Sequence, residues 1–156
     1  MRTTLALLTA TLLGISGCST KTALDAFNMD SRTELAVTHL RTATVVKDSL
    51  TTAVISTVYL NRVYPERYNG DEYFFVALYR HDDAAPYDLY LNGDAAPVEI
   101  RELSPDEELC VLMPIQSSWN RYYLVRYPHQ EAESLTLTLG NGQSGTGALD
   151  YQKDAQ

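Results

Sequence analysis

Tyr73-Phe74-Phe75-Val76-Ala77-Leu78-Tyr79 is hydrophobic without a break, whereas Leu135-Thr136-Leu137-Thr138-Leu139 alternates strictly between apolar and polar residues. Successive side chains of a strand point to opposite faces. The second stretch therefore describes a strand with one face in a core and one in water, and the first a central strand covered on both. Tyr87, Leu89 and Leu91 alternate with Asp88, Tyr90 and Asn92 in the same way. Working outward from these segments, period-two patterning starts at His39 and is broken by turn signals at sandwich-like intervals. The pattern predicts Leu40–Lys47 and Thr52–Val63 as a hairpin around Asp48-Ser49-Leu50-Thr51, then Tyr73–Arg80 after a loop rich in Pro and Asn-Gly breakers. Tyr87–Asn92 and Pro97–Leu103 are expected to form a second hairpin, because Asn92-Gly93 favours the positive φ angles of a tight turn. Leu109–Pro114, Arg121–Tyr127, Ser134–Leu139 and Thr146–Tyr151 complete nine candidate strands. No long helical period competes after residue 40. The expected fold is an all-β antiparallel sandwich of about eight or nine short strands over residues 39–151, Ig-like in architecture but without the Cys…Trp…Cys pattern of true Ig domains. A closed barrel is the alternative. Residues 152–156 form a short tail.

The chain has 156 residues with 20 acidic against 12 basic side chains, a formal charge of −8. This balance argues against a nucleic-acid groove, whose affinity comes from Lys and Arg neutralising phosphates, and against adhesion to anionic lipid through a basic patch. A hydrophobic fraction of 45% is that of a folded globular protein.

The N-terminus carries one basic residue, Arg2, then the apolar run Leu5–Ile15, then Ser16-Gly17-Cys18. That is the layout of a secretory signal peptide, and the run is shorter than the roughly 20 residues needed to span a bilayer. The ending Ile15-Ser16-Gly17-Cys18 resembles the lipobox of bacterial lipoproteins: aliphatic, small, small, cysteine. The resemblance covers this segment alone. It implies removal of residues 1–17 and lipidation of Cys18, leaving a product of charge −9. Several acyl chains, at about 0.8 kcal/mol per buried methylene, hold a protein to a membrane far more firmly than one chain does. Ser19, where that family's sorting rule places Asp for inner-membrane retention, implies the outer membrane. Residues 18–38 then read as a tether. Ser31-Arg32-Thr33-Glu34 matches a capping box ahead of Leu35-Ala36-Val37, so a short helix over 32–40 competes with coil there.

With Cys18 lipidated, Cys110 has no intrachain partner. Its surroundings, Leu109-Cys110-Val111-Leu112-Met113, point to burial as a small hydrophobe. No cofactor fingerprint, nucleophile elbow or zinc-ligand spacing is found. If the strands simply alternate in direction, the loops after the first, third, fifth and seventh share one end and bring together Asp48, Asp82, Asp83, Asp106, Glu107, Glu108, Glu131 and Glu133. Asp82, Asp83, Asp106, Glu107 and Glu108 are therefore weak calcium candidates, since Ca²⁺ takes six to eight oxygens from loops. A solvated acidic end is the alternative. The opposite end collects Tyr64, Tyr68, Trp119, Asn120 and Tyr122, candidates for binding a protein partner because Trp and Tyr offer large rigid contact area with one polar group. Trp119 either stands out in this way or folds back over the core. The expected function is that of a membrane-anchored envelope lipoprotein, periplasm-facing, whose non-catalytic sandwich binds or assembles with a protein. The competing expectations are an envelope hydrolase using Asp82, Asp106 or Glu107, and a carbohydrate-binding adhesin using Trp119 and Tyr122.

Overall fold

A computed structural model describes residues 31–81, 87–140 and 146–153. Cys18, Asp82 and Asp83 lie outside the described residues. Helix α1 (Ser31–His39) leads into β1 (Leu40–Lys47), β2 (Leu50–Tyr59), a single turn α2 (Leu60–Val63) and β3 (Glu72–Arg80). β4 (Asp88–Leu91), β5 (Glu99–Leu103), a 3-10 helix (Glu108–Leu112), β6 (Asn120–Tyr127), β7 (Ser134–Gly140) and β8 (Thr146–Gln152) follow. All pairings are antiparallel, in a five-stranded sheet of order β1-β2-β3-β6-β5 and a three-stranded sheet of order β4-β7-β8. The expected all-β sandwich is the fold.

β3 lies in the middle of the larger sheet, as its two-faced hydrophobicity requires. Phe74 and Val76 join Ile55, Val125 and Tyr127 against Leu135, Leu137 and Leu139 of the smaller sheet. Phe75 and Ala77 face the other way, with Val58 and Tyr122, under Ala36, Leu60 and Leu112 of the helical segments. The molecule is thus three layers deep. Complete burial of a Leu or Phe side chain contributes about 2 kcal/mol, so these two interlayer cores outweigh the roughly 1 kcal/mol span of strand propensities. Ala36 is buried while Leu35 and Val37 are partly exposed, so one small side chain brings α1 close to the sheet. Residues 31–38, inside the segment read as tether, thus belong to the packed body through α1.

Turn chemistry is local. Asp48 (φ 50°) and Ser49 (φ 67°) form a two-residue turn with Lys47 paired to Leu50, tighter than the four-residue turn expected. Asn92 (φ 52°) and Gly93 (φ 97°) adopt the predicted positive angles, but the hairpin they close is one bridge long, Leu91 to Ala95. The chain then crosses to the other sheet, so β4 and β5 are not partners. Leu109–Pro114 is not a strand: Glu108–Leu112 is a 3-10 helix whose Leu109, Cys110 and Leu112 plug the second core. Without that strand, β6 runs opposite to the direction simple alternation predicts. Residues 60–63, read as the end of the second strand, turn into α2.

Two buried phenols test the first core. Tyr151 Oη donates to the Thr57 carbonyl at 3.0 Å and also bonds the Thr57 hydroxyl, whereas Tyr127 Oη has no hydrogen-bond partner among the described residues. Tyr127→Phe should leave stability unchanged or raise it by up to about 1 kcal/mol, and Tyr151→Phe should lower it by about 1–3 kcal/mol, because it strands the buried Thr57 hydroxyl. Burial pushes both phenols well above their ordinary value of 10.0. Unfolded tyrosines release protons above pH 10 while these two hold theirs, so stability should fall as pH rises beyond that point. Denaturant titrations between pH 8 and 11 check this, with a shallower alkaline slope expected in either Phe variant.

Candidate functional site

The loop between the 3-10 helix and β6 is built on Tyr122. This residue is buried, with its ring stacked on Phe75 at 6.0 Å and 9°. Its hydroxyl meets the Ser117 amide at 3.2 Å and the Ser117 carbonyl at 3.3 Å. Gln116 Nε2 donates to the Cys110 carbonyl at 3.2 Å, and the Trp119 amide donates to Ser117 Oγ at 3.2 Å. A loop pinned at three points holds its apolar side chains outward: Ile115 and Trp119 are each 78% exposed, and Val111 of the preceding 3-10 helix is 54% exposed. Of the two fates left open for Trp119, exposure is the one found.

The other aromatic candidates are not beside it. Tyr64 and Tyr68 are buried in the second core, near the start of β3. Asn120 pairs with Tyr79 at the end of β3, which places Trp119 at the opposite end from the loop carrying Tyr64 and Tyr68. The missing sixth strand explains this, because it reverses the end to which the loop before β6 belongs. No exposed coplanar pair of Trp119 and Tyr122 exists.

The same reversal divides the acidic residues. Asp48 and the turn after β5 lie toward the Arg80 end, whereas Glu131 and Glu133 follow Tyr127, which pairs with Glu72 at the other end. Within the turn, charges are met locally. Glu107 accepts from Arg101 at 2.9 Å and from the Ser104 amide at 2.9 Å, and these bonds hold its carboxyl below the usual range. A hydrogen bond from Ser104 does the same for Asp106, and Glu108 pairs with Arg67 at 3.1 Å. Among the described residues no three His, Cys, Asp or Glu side chains are grouped so as to hold a metal ion. Cys110 is buried, and its thiol donates to the Ser104 carbonyl at 3.4 Å. Burial and then the charges of Glu107 and Asp106 push the thiol up, away from a reactive thiolate.

The one buried carboxylate among the described residues was not anticipated. Glu72 is 1% exposed. Its Oε2 accepts from Tyr59 Oη at 2.6 Å, and its Oε1 accepts from the Gln130 amide at 2.9 Å and from Lys153 Nζ at 2.5 Å. His129 Nδ1 stands 3.5 Å from the same oxygen. Lys153 also donates to the Gln130 carbonyl. Tyr59, Glu72, His129 and Lys153, with Asn61 and Asp71, line an open hollow of about 260 Å³. A signal was present in the sequence: Glu72 is two positions before Phe74, so a strand begun at residue 72 must point it inward. Its acceptors are filled by the protein's own donors, so the cluster ties β2, β3, the 128–130 loop and the end of β8 together.

Compared with known protein families, with curated proteins and with solved structures, the chain matches none.

Removing one member of a buried ion pair leaves the other charge uncompensated, so Glu72→Gln should lower the unfolding free energy by about 3 kcal/mol. Glu72→Leu combined with Lys153→Met should cost less than the two single changes summed. Urea denaturation of the wild type and the four variants checks both statements.

Proposed function

We propose that this chain is an envelope lipoprotein, anchored through Cys18 in the outer membrane and facing the periplasm, whose β-sandwich is a non-catalytic module that binds a protein partner through the Ile115–Trp119 loop. One observation carries the binding part: a tryptophan and an isoleucine, each 78% exposed, sit on a loop that hydrogen bonds hold in place. Large apolar side chains that are ordered before binding lose little conformational entropy on contact, and such aromatic anchors dominate interface energetics. The acidic charge supports a protein partner over nucleic acid. The lipobox-like Ile15-Ser16-Gly17-Cys18 supports the anchor.

Two variants test the reading separately. Cys18→Ser should move the protein from the membrane fraction to the soluble fraction, and mass spectrometry of the wild type should find the acyl mass on residue 18. Trp119→Ala should leave the protein folded and membrane-bound but abolish its cross-linked complex in intact cells, whereas Leu50→Ser, at another exposed apolar site on the β1–β2 hairpin, should preserve that complex. A complex unaffected by Trp119→Ala would refute the loop as the contact.

A further inference from the structure

The two sheets differ by two strands, and the mismatch lies on one side. On the other side β8 closes against β1: a Cβ on Gly147 would stand 3.3 Å from Ala43 Cβ and 3.5 Å from the Thr44 carbonyl oxygen. On the open side, β4 and β5 are the edges of their sheets. Between them runs a cleft of about 200 Å³ walled by Val76, Leu78, Leu89, Ile100, Tyr123 and Leu139, with Arg80 on the β3 side. A second hollow of about 150 Å³ continues it along β4 and shares Tyr87, Leu89 and Ile100. Ile100 is 55% exposed although it lies on the face of the larger sheet that elsewhere is covered.

Backbone parity decides what this edge offers. The Asn92 amide donates to the Thr136 carbonyl, and Leu91 and Ala95 exchange amide–carbonyl bonds on the far side of the strand. Antiparallel pairing alternates bonded and non-bonded positions. Asp88 and Tyr90 therefore bond β7, and the amide and carbonyl of Leu89 point away from it, with no partner among the described residues. An apolar groove beside a strand edge whose Leu89 amide and carbonyl have no partner among the described residues suits an added strand, whose main chain supplies affinity while alternate side chains fill the hollows. Charge selects among such strands. Glu102 is paired with Arg121 and Glu99 with Arg126, but Asp88 and Asp94, at either end of β4, are exposed and have no basic partner among the described residues.

We infer that the β4 edge binds an extended segment of about four residues from a partner protein, apolar at alternate positions and flanked by Lys or Arg, which pairs with Leu89 and covers Ile100. This extends the binding-module reading to a second surface, distinct from the Trp119 loop.

The test is selection of a randomised decapeptide library against the full-length protein purified from cells, followed by titration of the enriched peptide. Enriched sequences should alternate apolar with polar residues and carry basic ends. Loss of one backbone bond and its register should weaken binding about tenfold or more in Leu89→Pro, which deletes the outward amide, while Leu89→Ala, which keeps it, should cost about threefold or less. Ile100→Lys, at an exposed position and thus compatible with folding, should also abolish binding. Asp88→Asn with Asp94→Asn should remove the preference for basic ends. Trp119→Ala should change nothing here, so failure at this groove and failure of the loop reading are separable. No enriched peptide, enrichment without alternation, equal binding by Leu89→Pro and Leu89→Ala, self-association abolished by Ile100→Lys, or binding of phosphatidylcholine vesicles abolished by Ile100→Lys would each overturn the proposal.

Discussion

A strand that is apolar on both faces leaves its sheet no solvated side, and β3 imposes that condition on everything around it. Phe74 and Val76 need one cover and Phe75 and Ala77 need another. The smaller sheet supplies the first. Ala36, Leu60 and the 3-10 helix supply the second, which explains why segments with weak helical character of their own are held in place. The central position of β3 follows from the same demand, since an edge position would expose one of its flanks.

At one end of β3 the apolar rule is broken by Glu72, and the exception is kept by saturation. Tyr59, Gln130 and Lys153 occupy its oxygens, drawing in the strand before it, the loop after β6 and the end of β8. A buried pair of this kind is weak evidence for net stability, because well-packed hydrophobic residues often do as well. What it supplies is geometry: the carboxylate is satisfied only when all these segments arrive together.

Most strands were legible because alternation survives wherever one face meets a core and the other meets water. Leu135–Leu139 and the Tyr73–Tyr79 run are such cases. Leu109–Pro114 was misread for a physical reason: five apolar residues are too few to separate a period of two from a tight helical turn. That single error propagated, since removing a strand reverses the direction of the next one. It set Trp119 beside Tyr64 and Tyr68 and gathered the acidic loops at one end, whereas the structure separates both groups. Trp119 itself was legible as a loop residue, but its exposure was not, because exposure depends on the hydroxyl of Tyr122, which is placed by stacking on Phe75 of β3, a neighbouring strand remote in sequence. Glu72 was hidden by its neighbour Asp71 and by the loop before it, which made an inward carboxylate look like one more solvated charge.

The Thr57–Tyr151 contact joins residues 94 positions apart, and Arg62 reaches the Lys153 carbonyl across 91. β8 is the last strand among the described residues, so the first core and the Glu72 cluster stay incomplete until it is in place. Contacts of such long range delay folding. Until Leu149 and Tyr151 of β8 arrive, the apolar side chains of β2 and β3 that they meet stay partly uncovered, so closing the sandwich is a late event in folding.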